Sequence, residues 1–238
     1  MSCTLANMSR EAIISPHLDD AVLSCWHRLE QPDTQVVTVF TGIPTQRKPS
    51  AWDTATGFRT PEETMNARIK ENLVALRSTP SVAVNLEYID HAYRDSPLDI
   101  NRITEDVLHA AHDDAVFIAA AGVTQYLRKP HPDHEATRAV GKRLMELGRT
   151  VLFYADVPYI LPRFRHVGWH ERLPIEGIKK KLGLDVVSEP YELSEVQQAR
   201  KWQAVHTYSS QFSLLNEGSR HALVKSEVYR WEVIFRPV

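Results

Sequence analysis

Apolar positions along the chain form two kinds of run that take turns. Short continuous runs read as buried strands: Glu11-Ala12-Ile13-Ile14-Ser15, Gln35 to Thr41, Leu86 to Ile89, Ala115 to Ala121 and Thr150 to Ala155. Pro16, Gly42 with Pro44, and Gly122 close three of them. Between them the apolar spacing becomes helical. Ala21, Val22, Cys25, Trp26 and Leu29 share one face of a helix from Asp19 to Leu29, with Asp19 or Asp20 at its N-cap. Further helices are predicted over 61–77, with Pro61 in the first turn, and over 98–112, 133–147 and 194–208, the last opened by a Ser194/Gln197 capping box. Three segments read differently. Residues 43–60 are a polar loop carrying Trp52 and Phe58, long enough to suggest a task. Residues 158–183 have weak periodicity, and 184–193 fit an edge strand. The tail from His221 to Val238 is compatible with helix, strand or both.

Strands alternating with helices predict an α/β fold, a Rossmann-like three-layer sandwich with a mainly parallel central sheet. At 238 residues the chain fits a single domain over 1–238, with 158–238 elaborating the substrate pocket and the C-terminus. The balance of 28 basic and 30 acidic residues gives no concentrated positive field, so neither nucleic acid nor an anionic membrane is expected as partner. No apolar run approaches the length of a membrane span, and the first ten residues lack the apolar core of a signal peptide. A cytoplasmic location is therefore expected, and a homo-oligomer is left open. Of the two cysteines, Cys3 lies in the terminus and Cys25 reads as core filler, not as a nucleophile.

In a parallel sheet, ligands gather at the carboxyl ends of the strands, and two polar clusters stand there. Ser15-Pro16-His17-Leu18-Asp19-Asp20 follows the first strand, and Lys129-Pro130-His131-Pro132-Asp133-His134 follows the strand at 115–121. Zinc favours imidazole nitrogen and carboxylate oxygen, and a catalytic site keeps one coordination position open. His17 and Asp20 can point at one ion from the first turn, with His134 supplying a third ligand. Asp19 is free to face the reacting water, and His131 can reach the substrate side. Asp133 can cap its helix or orient an imidazole. Either cluster alone reads more readily as a helix cap. Together, each following a strand, they point to a metal site. Iron(II) suits the same ligands.

These clusters resemble the paired signature of the PIG-L / LmbE-like zinc-dependent N-deacetylases: His17-Leu18-Asp19-Asp20 for its first motif and His131-Pro132-Asp133-His134 for its second. Phe40-Thr41-Gly42, Arg68 with Glu71, and Lys201 through Tyr208 to Gln211 look like further landmarks of that family. The resemblance implies zinc on His17, Asp20 and His134, Asp19 as general base, and a protonated His131 as general acid or oxyanion stabiliser. It implies removal of an N-acetyl group from an amino sugar or a related small-molecule conjugate, including in natural-product biosynthesis. Leu18, Ala21 and Lys129-Pro130 depart from the family pattern, all outside the ligand positions, and imply a substrate pocket of its own character. Arg68, Asp95 and Trp52 are the expected substrate contacts, and Tyr208, Ser210 and Gln211 the expected rim. The alternatives are an amidase for a bulkier acyl or cysteinyl conjugate on the same metal site, and a non-catalytic binding protein. A nucleotide-binding module is disfavoured, because two carboxylates stand where a phosphate loop would lie.

Overall fold

A computed structural model describes residues 10–45, 48–124, 130–162 and 166–238. Residues 1–9, 46–47, 125–129 and 163–165, Cys3 and Lys129 among them, lie outside the described residues. Seven strands form one sheet in the order β3-β2-β1-β4-β5-β7-β6. These are β1 (Glu11–Ser15), β2 (Thr34–Thr38), β3 (Val82–Asn85), β4 (Val116–Ala120), β5 (Val151–Tyr154), β6 (Val186–Glu192) and β7 (Trp231–Pro237). The first five are parallel; β7 runs antiparallel to β5, and β6 antiparallel to β7. The central strands are apolar on both faces, as a doubly covered parallel sheet requires: Ala12, Ile13 and Ile14 are fully buried, as are Ile118, Ala119 and Ala120.

The helices are α1 (Asp20–Ser24), α2 (Trp26–Leu29), α3 (Ala51–Ala55), α4 (Pro61–Leu76), α5 (Ile100–Ala110), α6 (Pro132–Glu146), α7 (Ile175–Leu182), α8 (Glu195–Val205) and α9 (Ser209–Gly218). Among them α5 packs on α6, while α1, α2 and α4 pack on α8, and α9 packs on α4. The sheet flanked by helices is the fold class expected from the pattern. No helix among the described residues is long and apolar enough to cross a membrane.

Several boundaries differ from the sequence expectation, each for a physical reason. The helix expected over 19–29 is broken at Cys25, whose φ/ψ of −135°/31° is not helical. There the Glu232 carboxylate accepts the amides of Trp26 (2.6 Å) and His27 (3.0 Å), and a side chain placed in the ladder interrupts it. The strand expected at 86–89 is instead β3, four residues earlier. Residues 86–88 only flank β2, through Leu86 N–H to Thr38 O and Tyr88 N–H to Val39 O. The polar loop 43–60 contains α3, opened by a Ser50/Asp53 capping box, and α9 was not apparent from the pattern. The Ser194/Gln197 box does open α8, β6 is the sheet edge, and the tail is a 3₁₀ turn followed by β7.

The topology places the chemistry. The chain leaves β1 toward β2 and β3, then returns to β4 on the other side of β1. β1 and β4 are therefore neighbours at the switch point of the sheet, and their carboxyl ends open one crevice. Both sequence clusters emerge into it.

Candidate metal centre and active site

The turn after β1 is tied by its own side chains. Ser15 Oγ donates to His17 O (2.6 Å) and accepts the amide of Ala21 (3.2 Å), while Asp20 Oδ2 accepts the amide of His17 (2.8 Å). Tyr208 backs the turn from α8–α9, its hydroxyl between Leu18 O (3.0 Å) and Asn72 Oδ1 (2.8 Å). After β4, Gly122 adopts a φ of +58°, and a Cβ there would lie 2.6 Å from His134 O. Only glycine lets α6 come this close to the strand end. His131 is the N-cap of α6 and Pro132 its first residue.

His17, Asp20 and His134 converge. Asp20 Oδ2 lies 3.2 Å from His17 Nδ1 and 3.4 Å from His134 Nε2. The far nitrogen of each ring is held by a buried carboxylate: His17 Nε2 by Asp133 Oδ2 at 3.2 Å, His134 Nδ1 by Asp156 Oδ1 at 2.7 Å. A neutral imidazole has one proton. Placed on the nitrogens that face Asp133 and Asp156, these protons leave two lone pairs and a carboxylate oxygen pointing at one another. His134 Nε2 is in fact a buried atom without a hydrogen-bond partner among the described residues. Two imidazole nitrogens and a carboxylate oxygen, each ring braced by a further carboxylate, fit a divalent cation.

Without a cation the site must hold protons instead, and the electrostatics say so. Burial opposes charge on His17, but hydrogen bonds to Asp133 and Asp20 and the Asp90 charge outweigh it and lift its pKa well above the ordinary value. His134 is likewise raised, its burial offset by Asp20 and Asp156. Asp20 goes the other way: against burial, His134 and His17 bring it down to about 2.

His131 also lies in a group with His17 and His134 whose nitrogens are within 4.8 Å of one another. Its surroundings are nevertheless different. Nδ1 accepts the amide of Asp133 at 3.2 Å, so the neutral ring carries its proton on Nε2 and donates from there. Burial, then the positive charges of His17, His134 and His91, push its pKa down to about 3. With His17 and His134 carrying protons, His131 is thus held as a neutral donor. Asp19 sits at the N-cap position of α1 but makes no side-chain cap bond. Its Oδ1 lies 3.5 Å from Arg68 Nη2. Burial and the Asp20 charge raise its pKa, while Arg68 and His17 oppose them.

His17, Asp19, Asp20 and His131 border a cavity of about 280 Å³. Arg68 and Trp52 line it as expected, and so does Gln211, which accepts the Trp52 indole N–H at 2.7 Å. Ser210 instead holds Glu71. Asp95 is exposed and lies outside the lining. The acid at that position in the wall is Asp90, 3.6 Å from Arg68 Nη1 and 3.5 Å from His17 Nε2. Asp133 is fully buried and serves His17, the amide of His91 (2.9 Å) and Arg94 (2.9 Å), not as a helix cap.

Sequence reasoning missed Asp90, His91, Asp156 and Tyr159. The missed residues obey the rule that found the others. Asp90 and His91 follow β3, and Asp156 and Tyr159 follow β5, all at carboxyl ends. Applying the rule to every strand, not only to those followed by a dense polar cluster, would have found them.

The family model described as PIG-L: GlcNAc-PI de-N-acetylase matches residues 12–145, more than half of the chain and inclusive of both clusters. The chain is 28% identical over 197 residues to a 2'-N-acetylparomamine deacetylase of Niallia circulans, covering 66% of this chain and 71% of that one. Among solved structures it resembles the zinc-inhibited form of teicoplanin deacetylase Orf2, with a TM-score of 0.72 at 24% identity over 97% of this chain and 98% of that one. It likewise resembles the A40926 pseudoaglycone deacetylase Dbv21, with a TM-score of 0.72 at 24% identity over 97% of each chain. At such identity the structural likeness bears on the fold.

Proposed function

Since this chain belongs to the PIG-L family of de-N-acetylases, we propose that it is a zinc-dependent hydrolase that removes an N-acetyl group from an amino sugar carried by a natural product. The observation that carries this reading is the meeting of His17 Nδ1, His134 Nε2 and Asp20 Oδ2, with His134 Nε2 otherwise unpartnered. The printed activities of the paromamine, teicoplanin and A40926 relatives support the substrate class. A cavity of about 280 Å³ suits one acetamido sugar, so the rest of such a substrate would lie outside it.

His17, Asp20 and His134 would hold the cation, zinc in this reading, with iron(II) served by the same donors. Bound there, it supplies Lewis acidity toward the amide carbonyl and lowers the pKa of water. The chain's own residues do the rest. Asp19 takes the proton of the attacking water; its raised pKa makes it a better base than an ordinary aspartate, and Arg68 keeps it ionised until then. Neutral His131 donates its Nε2–H to the oxygen on which charge develops. The departing amine takes its proton from Asp19, which has just received it. The amine leaves and acetate remains.

The test is acetate release by the metal-loaded protein from a panel of N-acetylated amino sugars, including aminoglycoside precursors, with long-acyl and cysteinyl conjugates alongside. Release from an N-acetyl sugar that is abolished by chelation and restored by zinc, cobalt or iron supports the reading. Turnover confined to the bulkier conjugates would make it the amidase instead. Failure to release acetate with any of these metals would sink it.

A further inference from the structure

Most polar groups around the cavity are already engaged. His17 is held at both ring nitrogens, the Trp52 indole by Gln211, the Tyr93 hydroxyl by Asp53, and Arg68 by Asp19 and Asp90. His91 spends Nδ1 on Asp90 and stands on the exposed side. Tyr159 is different. It lines the cavity, and its hydroxyl has no hydrogen-bond partner among the described residues. It arrives three residues after Asp156, on the segment that leaves β5. Its ring meets that of His134 at 4.6 Å and 64°, and that of His131 at 6.1 Å and 61°. One phenol therefore stands against both a proposed metal ligand and the proposed oxyanion donor.

We propose that Tyr159 is a second oxyanion donor, a catalytic residue whose phenol O–H binds the acetamide oxygen beside the Nε2–H of His131; this rests on the deacetylase reading above. Water addition turns a carbonyl oxygen into an alkoxide, whose extra lone pair and charge call for more than one donor. A phenol, with an ordinary pKa of about 10, keeps its proton at neutral pH and can donate throughout. No bond to Tyr159 forms or breaks. The water proton goes to Asp19 and then to the amine, while the phenol O–H stays intact. The aromatic contacts with His134 and His131 set where the hydroxyl lies, so the donor is in place before the charge appears.

Tyr159→Phe isolates the hydroxyl, because the ring and its packing remain. In the full chain loaded with cobalt(II), the visible spectrum and the metal affinity should match the unaltered protein. On an N-acetylated sugar that the unaltered protein hydrolyses, kcat should fall by about 10²-fold, as for loss of one oxyanion donor, with KM within about threefold. A tetrahedral mimic, methylphosphonate, should bind the variant at least tenfold more weakly by calorimetry, whereas acetate should bind both proteins alike. A kcat within about threefold of the original overturns the proposal. So does a changed cobalt spectrum, which would make Tyr159 a prop for His134. Calorimetry judges Tyr159 without turnover: equal phosphonate affinity in the two proteins, or binding by neither, overturns the proposal. An absence of acetate release by the unaltered protein speaks against the deacetylase reading.

Discussion

Two buried polar clusters lie at different depths of the same fold, and only one resembles a site. At the end of β1, Asp20 faces two imidazole nitrogens whose partners on the far side leave them lone pairs. Behind it, Glu232 of β7 is just as buried, but each of its oxygens meets donors. Oε1 accepts the Trp26 amide and the Lys201 ammonium, both at 2.6 Å, and Oε2 accepts the His27 amide at 3.0 Å and lies 2.5 Å from His27 Nδ1. Lys201 and Glu232 are each 1% exposed. Donors match acceptors around Glu232, whereas the Asp20 cluster has more acceptors than donors. The first is a fastening, which ties the antiparallel C-terminal strands and α8 to the opening βα unit. The second needs a cation, or the protons that stand in for one.

That contrast can be broken by substitution. The largest expected effect is on catalysis: Asp19→Ala should lower kcat by about 10²- to 10⁴-fold, the range for loss of a general base, while zinc stoichiometry by atomic absorption stays unchanged. Concurrent loss of metal would make Asp19 part of the cradle and not the base. On the other side, Lys201→Met should strip the fastening of its cation and cost about 3–5 kcal/mol of stability in denaturant titrations, as expected when one partner of a buried pair is removed. The folded fraction should retain its kcat and its metal affinity. A stable but inactive Lys201→Met protein would show that the Glu232 cluster is functional, and the two clusters would not differ in kind.

The same contrast explains what the sequence could reveal. The proposed ligands and base were legible because each cluster packs several donors into a few residues after a strand; the structure brings His17, Asp20 and His134 together, with Asp19 beside them. Of the partners that brace them, Asp133 was legible within the second cluster, whereas Asp156 and Asp90 were not, because each is a lone acid far away in the chain. Asp156 is 22 residues from His134, and Asp90 is 73 from His17; nothing local marks either. Glu232 reads as one more charge in the tail, yet it interrupts a helix more than 200 residues earlier, which is why 19–29 was taken as one helix. Asp95, the acid expected in the pocket, stands next to Arg94 in the sequence. In the structure Arg94 turns instead to Ile89 O and Asp133.

Asp156 offers a finer test. It fixes the tautomer of His134, so Asp156→Ala should weaken zinc about 10- to 100-fold, the usual cost of removing a carboxylate behind a ligating imidazole, as measured by competition with a chelator. Asp156→Asn keeps one acceptor for His134 Nδ1 and should fall between the two. If both variants bind zinc normally, the cradle does not depend on that tautomer, and His134 loses its claim as a ligand.

The smallest effect is a dependence on acid. Glu232, opposed by burial but held by Lys201 and His27, titrates at about 2 in the folded chain against an ordinary 4.5. Its folded pKa is depressed, so its contribution is complete above about 4.5 and disappears as pH falls toward 2. Within that window the folded state loses at most about 1.4 kcal/mol per pH unit through this group. Above pH 5 the term is flat. Glu11 acts in the opposite sense, because burial raises its pKa. Glu232→Gln removes one contribution and leaves the other. Denaturant midpoints taken from pH 5 to pH 3 should therefore fall less steeply for Glu232→Gln than for the unaltered chain, by about one proton's worth of slope. Parallel curves would mean that Glu232 is not held ionised by Lys201, and the matched cluster would then differ from the metal cradle in geometry alone.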